Sequence, residues 1–134
     1  MTVLVGFVPT PEGEAAFAAG LAEAQRRGED LLVLNTPRGG APVSADVAPP
    51  ELVAELTGRA HHAGITLEVR QAPHSGDLAD TVVRTAEESG ASVIVIGLRR
   101  RSPVGKLLMG SAAQRILLDA DRPVLAVKPQ ADGD

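Results

Sequence analysis

The sequence predicts a single α/β domain in which one five-stranded parallel sheet is doubly wound, with helices on both faces. Three observations carry that expectation. Continuous β-branched or apolar runs stand at Val3–Phe7, Leu31–Leu34, Val93–Ile96 and Val124–Val127, and unbroken hydrophobicity suits strands covered on both faces. Helical patterns with recognisable ends lie between these runs. Right-handed crossovers fold such a β-α-β-α-β-α-β-α-β chain into an open parallel sheet.

The elements follow in order. After the first strand, Thr10 is placed to cap a helix that has Pro11 at its first position and stops at Gly28, with Phe17, Leu21 and Ala24 spaced along its apolar face. Leu31–Leu34 is the second strand. The second helix follows Pro49-Pro50, turns Leu52, Val53, Leu56 and Ala60 inward and ends at Gly64. Thr66–Val69 alternates polar and apolar residues, the pattern of an edge strand. A third helix from near Asp77 to Gly90 buries Leu78, Val82 and Ala86, and Val93–Ile96 is the fourth strand. A fourth helix opens at Ser111, where Ser111 and Gln114 have capping-box spacing, and ends before Asp121-Arg122-Pro123. The expected strand order is 3-2-1-4-5. Strands 1 and 4 then meet at the topological switch point, where open α/β sheets bind ligands beyond the carboxyl ends of their strands.

Composition bounds the function. A chain of 134 residues with 44% hydrophobic and 22% charged side chains is the size and make-up of one globular domain, expected to span residues 1–128 and to be followed by a flexible tail, 129–134. Pro37–Pro50, rich in Gly, Pro and Ala, reads as a surface loop. The absence of cysteine excludes disulfide and thiolate chemistry. No apolar run is long enough for a transmembrane helix, and MTVLVGFV lacks the pattern of a signal peptide, so a cytoplasmic protein is expected. Phe7 and Phe17 are the only aromatic residues, and the net charge is −4, which argues against nucleic acid as a partner.

Against that acidic background, Gly97–Leu118 holds Arg99, Arg100, Arg101, Lys106 and Arg115 and no acid. The stretch follows the fourth strand, so it falls at the switch point. Gly97 lets backbone approach a ligand, Gly110-Ser111 opens a helix with free backbone N–H groups, and Arg99, Arg100 and Lys106 are placed to neutralise phosphate oxygens. Ser102 and Gly105 add polar and backbone contacts. The same features also have plain readings, as a turn, a helix cap and a solvated basic face.

Other chemistries are weaker. Around Gly105-Lys106, Arg100 stands where a Walker A loop needs its first glycine, and Leu107 stands where it needs Ser or Thr. His61 and His62 suit the last turn of a helix, where a cation complements the dipole. His74, Ser75 and Asp77 are too close in sequence to be argued as a triad, Glu87 and Glu88 point to different sides of a helix, and no metal-ligand spacing is present. Val8–Thr10 and Gly97–Leu118 contain no Asp, Glu or His, so no general base is expected at the site.

From VLVGF to PVLAVK, and most strongly in RSPVGKLLMGS and ADRPVLAVK, the chain resembles the universal stress protein family. The resemblance implies the adenine nucleotide alpha hydrolase-like fold, ATP as ligand (with Mg2+ as its accompanying ion), and a regulatory role in the stress response. ATP-binding members carry G-x2-G-x9-G-[ST] after the fourth strand. Here Gly97, Gly110 and Ser111 fill the first, third and hydroxyl positions, while Arg100 replaces the second glycine and either obstructs or clamps a triphosphate. The Asp-Gly-Ser common after the first strand is Val8, Pro9 and Thr10 in this chain, which removes a carboxylate. The resemblance thus implies a site of Val8, Pro9, Thr10, Thr36, Gly97, Arg99, Arg100, Gly105, Lys106, Gly110, Ser111 and Ala112, with adenine against Val8, Pro9 and Asn35–Thr36. It also implies a homodimer pairing Pro123–Lys128, an apolar edge open to pairing. Two other functions compete: a dimeric interaction module that binds no nucleotide, and a slow ATP hydrolase.

Overall fold

The computed structural model describes residues 1–35, 48–71, 78–100, 107–108 and 110–129, with backbone alone at 99–100 and 107–108. In chain order the elements are β1 (Thr2–Phe7), α1 (Pro11–Arg27), β2 (Asp30–Asn35), α2 (Pro50–His62), β3 (Leu67–Arg70), α3 (Leu78–Ser89) and β4 (Ala91–Gly97). There follow β5 (Arg99–Arg100), β6 (Leu107–Leu108), α4 (Ser111–Asp119) and β7 (Val124–Val127). All five long strands run parallel in the order β3-β2-β1-β4-β7, which is the expected 3-2-1-4-5.

Local chemistry sets the element ends. Thr10 is extended, its Oγ1 accepts a hydrogen bond from the Gly13 N–H at 3.2 Å, and Pro11 takes the first helical position, where a missing N–H costs nothing. At the other end Gly28 adopts φ 66°, left-handed, and donates its N–H to the Ala24 carbonyl. β3 alternates half-buried with exposed residues and lies at the sheet edge, as its sequence predicts.

Because β1 alternates its faces, it supplies two cores. Val3, Val5 and Phe7 pack with Phe17 and Ala24 of α1 and Leu56 of α2. Leu4 joins Ile94 and Ile96 of β4, Val82 of α3 and Ile116 of α4 on the opposite face. Each of the Val, Leu, Ile and Phe side chains among them, fully buried, contributes roughly 1.5–3 kcal/mol. Arg59 ties α2 to α1: its guanidinium bonds the Glu14 carboxylate at 2.6 Å and lies 4.8 Å from the centre of the Phe17 ring. No described helix is long and apolar enough to cross a membrane.

Two features differ from the sequence reading. Ser111 is not the cap of α4. Gly110 holds that position, its carbonyl accepts the Gln114 N–H at 3.1 Å, and Ser111 is the first helical residue, so no capping box forms. The basic connection also contains a short antiparallel ladder, Arg99 opposite Leu108 and Arg100 opposite Leu107, where a plain loop was expected.

Candidate functional site

The sheet's switch point is an open cleft. β1 and β4 lie side by side, and the crossovers from them leave to opposite faces, so the chain parts above their carboxyl ends. Gly6, Phe7 and Val8 form one side of the floor, and Ile96, Gly97 and Leu98 form the other. Gly110, Ala112 and Ala113, from the cap and first turn of α4, stand over one wall with Ile116, while Leu78 and Val82 of α3 and Leu34 of β2 supply the apolar interior. The cleft holds about 140 Å3 of space and is open at its mouth.

One end of this cleft is electropositive for a backbone reason. The first turn of α4 has no side-chain cap and no acidic residue. Its leading N–H groups therefore keep the partial positive charge of a helix amino terminus, a ready place for an anion.

The opposite rim carries an acidic residue that was not anticipated. Glu12, half-buried in the first turn of α1, lines the cleft. The expectation of a site without acid is corrected here, because it considered only Val8–Thr10 and Gly97–Leu118. Glu12 arrives through packing of α1 over the sheet. A Cβ built on Gly97 would lie 2.1 Å from the Glu12 carbonyl oxygen, and one on Gly13 would lie 1.8 Å from the Val8 carbonyl oxygen. Both glycines let the start of α1 settle onto the strand ends. The backbone that approaches Gly97 is thus the chain's own. The available signal was position: the first turn of the helix after strand 1 borders the crevice in any fold of this kind.

The sequence-derived residues divide accordingly. Val8, Gly97, Gly110 and Ala112 line the cleft together. Pro9 and Thr10 do not line it; the Thr10 N–H bonds the Val8 carbonyl at 2.8 Å and its hydroxyl is used in capping α1. Ser111 is exposed beside the cleft rather than in its lining. Arg99 and Arg100 have their backbones in β5. Thr36, Gly105 and Lys106 lie outside the described residues, as do Arg101, Ser102, His74, Ser75 and Asp77. Arg115, counted with the basic stretch, pairs instead with Asp80 of α3 at 2.9 Å.

Asn35, where adenine was expected, is a structural knot. Its buried amide donates to the Phe7 carbonyl at 2.9 Å, and its Oδ1 accepts the Ala48 N–H at 2.7 Å and the Gln71 amide at 3.2 Å. It ties the ends of β1 and β2 to the approach of α2. His61 and His62 fall in the last turn of α2, as the sequence predicts. Among the described residues no group of three or more His, Asp or Glu could hold a metal ion.

Comparison with known proteins agrees with this architecture. Residues 1–128 match the model of the Universal stress protein family. A universal stress protein of Mycolicibacterium smegmatis is 42% identical over 127 residues, which cover 95% of this chain and 97% of that protein. The structure of a universal stress protein from Archaeoglobus fulgidus superposes with a TM-score of 0.78 at 28% identity, covering 96% of this chain and 98% of its own. A structure of the universal stress protein from the same organism in complex with dAMP has a TM-score of 0.69 at 22% identity, covering 96% and 98%. Such neighbours share the adenine nucleotide alpha hydrolase-like fold expected from the sequence. The chain belongs to the universal stress protein family.

Proposed function

We propose that this protein binds an adenine nucleotide in the β1/β4 cleft and acts as a regulatory protein of the stress response. The observation that carries the reading is the union, in one cleft, of an apolar interior with the uncapped amino terminus of α4. An adenine ring needs the first and a phosphate the second. A structural neighbour in complex with dAMP supports the choice of ligand class.

In this reading Gly110, Ser111 and Ala112 present N–H groups to phosphate. Arg99, Arg100 and Lys106 are the candidates to neutralise it and Gly105 to contact it through its backbone, Gly97 and Val8 form the floor, and Thr36 is the candidate beside the nucleoside. The ligand proposed is ATP, with Mg2+ as its ion. Binding shifts the state of the basic connection or of a dimer rather than driving turnover. The dimer proposed pairs Pro123–Lys128 across a two-fold axis, because β7 is an edge strand that pairs with β4 alone among the described residues.

Isothermal titration of the protein with ATP, with and without Mg2+, tests the reading. Saturable heat accompanied by a rise in melting temperature is expected. Neither heat nor stabilisation at millimolar nucleotide rejects it. A second reading, an interaction module without nucleotide, draws on Val8, an apolar residue where the family's ATP-binding members place an acid. Nucleotide retained by freshly purified protein counts against that alternative.

A further inference from the structure

Glu12 has no assigned part in the family pattern quoted above, yet it lines the cleft. Among the described residues its carboxylate makes no hydrogen bond or ion pair. From its position we infer that Glu12 is the specificity-determining residue that accepts hydrogen bonds from the sugar hydroxyls of the bound nucleotide. The inference rests on the adenine-nucleotide reading.

The lining offers three chemistries, and a nucleotide has three parts to match them. The uncapped turn of α4 attracts an anion, so the phosphates belong there. A carboxylate repels phosphate, and Glu12 enters from α1, across the cleft from α4. The side chains able to enclose a heteroaromatic base are deep: Leu34, Val82 and Ile116 are 3% exposed and Ile96 is 6% exposed. Glu12 is half-buried at the rim. A carboxylate has no hydrogen to donate, so it needs a donor partner, and at the rim the donor left over is the ribose diol. Gly97 fixes the geometry. With no side chain between them, the first turn of α1 rests directly on the floor of the cleft.

The test compares AMP with 2′,3′-dideoxy-AMP by calorimetric titration of wild type, Glu12→Ala and Glu12→Gln, with EDTA present to remove divalent cations. Wild type should favour AMP by at least about tenfold, the range of a hydrogen bond to a charged group. Glu12→Ala should bring the ratio close to one with the dideoxy affinity little changed, and Glu12→Gln, which keeps reach and one acceptor oxygen, should fall between. Circular dichroism melting confirms that the variants are folded. Equal wild-type affinities for the two nucleotides overturn the assignment of Glu12 alone, whereas no AMP binding by wild type defeats the nucleotide reading as well. A variant that strengthens both nucleotides equally shows a carboxylate that merely repels phosphate. A variant that alters the AMP-to-IMP ratio instead shows a contact to the base. Either result overturns the inference.

Discussion

A side chain at position 97 would strike Glu12: a Cβ built on Gly97 lies 2.1 Å from the Glu12 carbonyl oxygen and 2.7 Å from its carbonyl carbon. Backbone cannot swing aside as a side-chain tip does. The first turn of α1 is therefore seated on the end of β4 by the absence of one methyl group.

Gly97→Ala should lower stability by about 1–3 kcal/mol, the cost of overpacking a close contact, and Gly13→Ala, aimed at the Val8 carbonyl, should do the same. Gly58→Ala is the contrast. Gly58 sits in the exposed interior of α2 with nothing within 4 Å of a built Cβ. Alanine there should stabilise by about 0.5–1 kcal/mol. Urea unfolding of the three variants checks the set; a Gly97→Ala protein as stable as wild type contradicts the seating.

Asn35→Ala should cost about 2–3 kcal/mol, because it leaves the Phe7 carbonyl and the Ala48 N–H buried without their partner. The Gln71 amide bonds both Asn35 and the Ala48 carbonyl, the latter at 2.9 Å. Gln71→Ala should therefore cost less than Asn35→Ala. Thermal and chemical melts give the comparison, and equal losses would contradict the central place of Asn35.

Arg122 joins the end of α3 to the start of β4, donating from one nitrogen to the Ala86 carbonyl at 2.9 Å and the Ala91 carbonyl at 2.8 Å. Arg122→Ala should destabilise by about 1–2 kcal/mol. The same guanidinium bonds Asp121 and holds its carboxyl below the usual carboxylate range. A depressed carboxyl favours the folded state above its unfolded pKa, and that contribution is lost as pH falls through the folded value. In Arg122→Ala the Asp121 carboxyl should return upward. Carboxyl-detected NMR titration reads the change, and an unmoved Asp121 would break the link.

Gly6→Leu should block the cleft without unfolding the protein. Gly6 lines the cleft, and a Cβ there meets Ile96 Cγ2 at an ordinary 3.7 Å. The added branch is expected to occupy the cleft, so nucleotide affinity should drop at least about tenfold while the melting temperature changes by only a few degrees. Undiminished binding would place the ligand elsewhere.

What the sequence revealed was local chemistry and long-period pattern. Thr10 and Gly28 bound α1 as expected because a cap hydroxyl and a left-handed glycine act within a few residues. The strand order followed from continuous apolar runs and crossover handedness. Ser111 was misplaced by one position because glycine caps through its backbone alone and leaves no side-chain signature. Glu12 and Asn35 escaped for a different reason. Their roles depend on contacts distant in sequence, of the first turn of α1 with Gly97 at the end of β4 and of the end of β2 with Ala48. Spacing within a helix or strand does not encode such contacts, although one polar residue closing the apolar run DLLVLN is a signal for Asn35.

Backbone amide chemical-shift mapping with AMP tests the central claim most directly. The account predicts that the largest changes on titration gather at Val8, Glu12, Gly97, Gly110 and Ala112, around the β1/β4 crevice and the start of α4. Changes confined to the β3 edge, or none at saturating nucleotide, would contradict it.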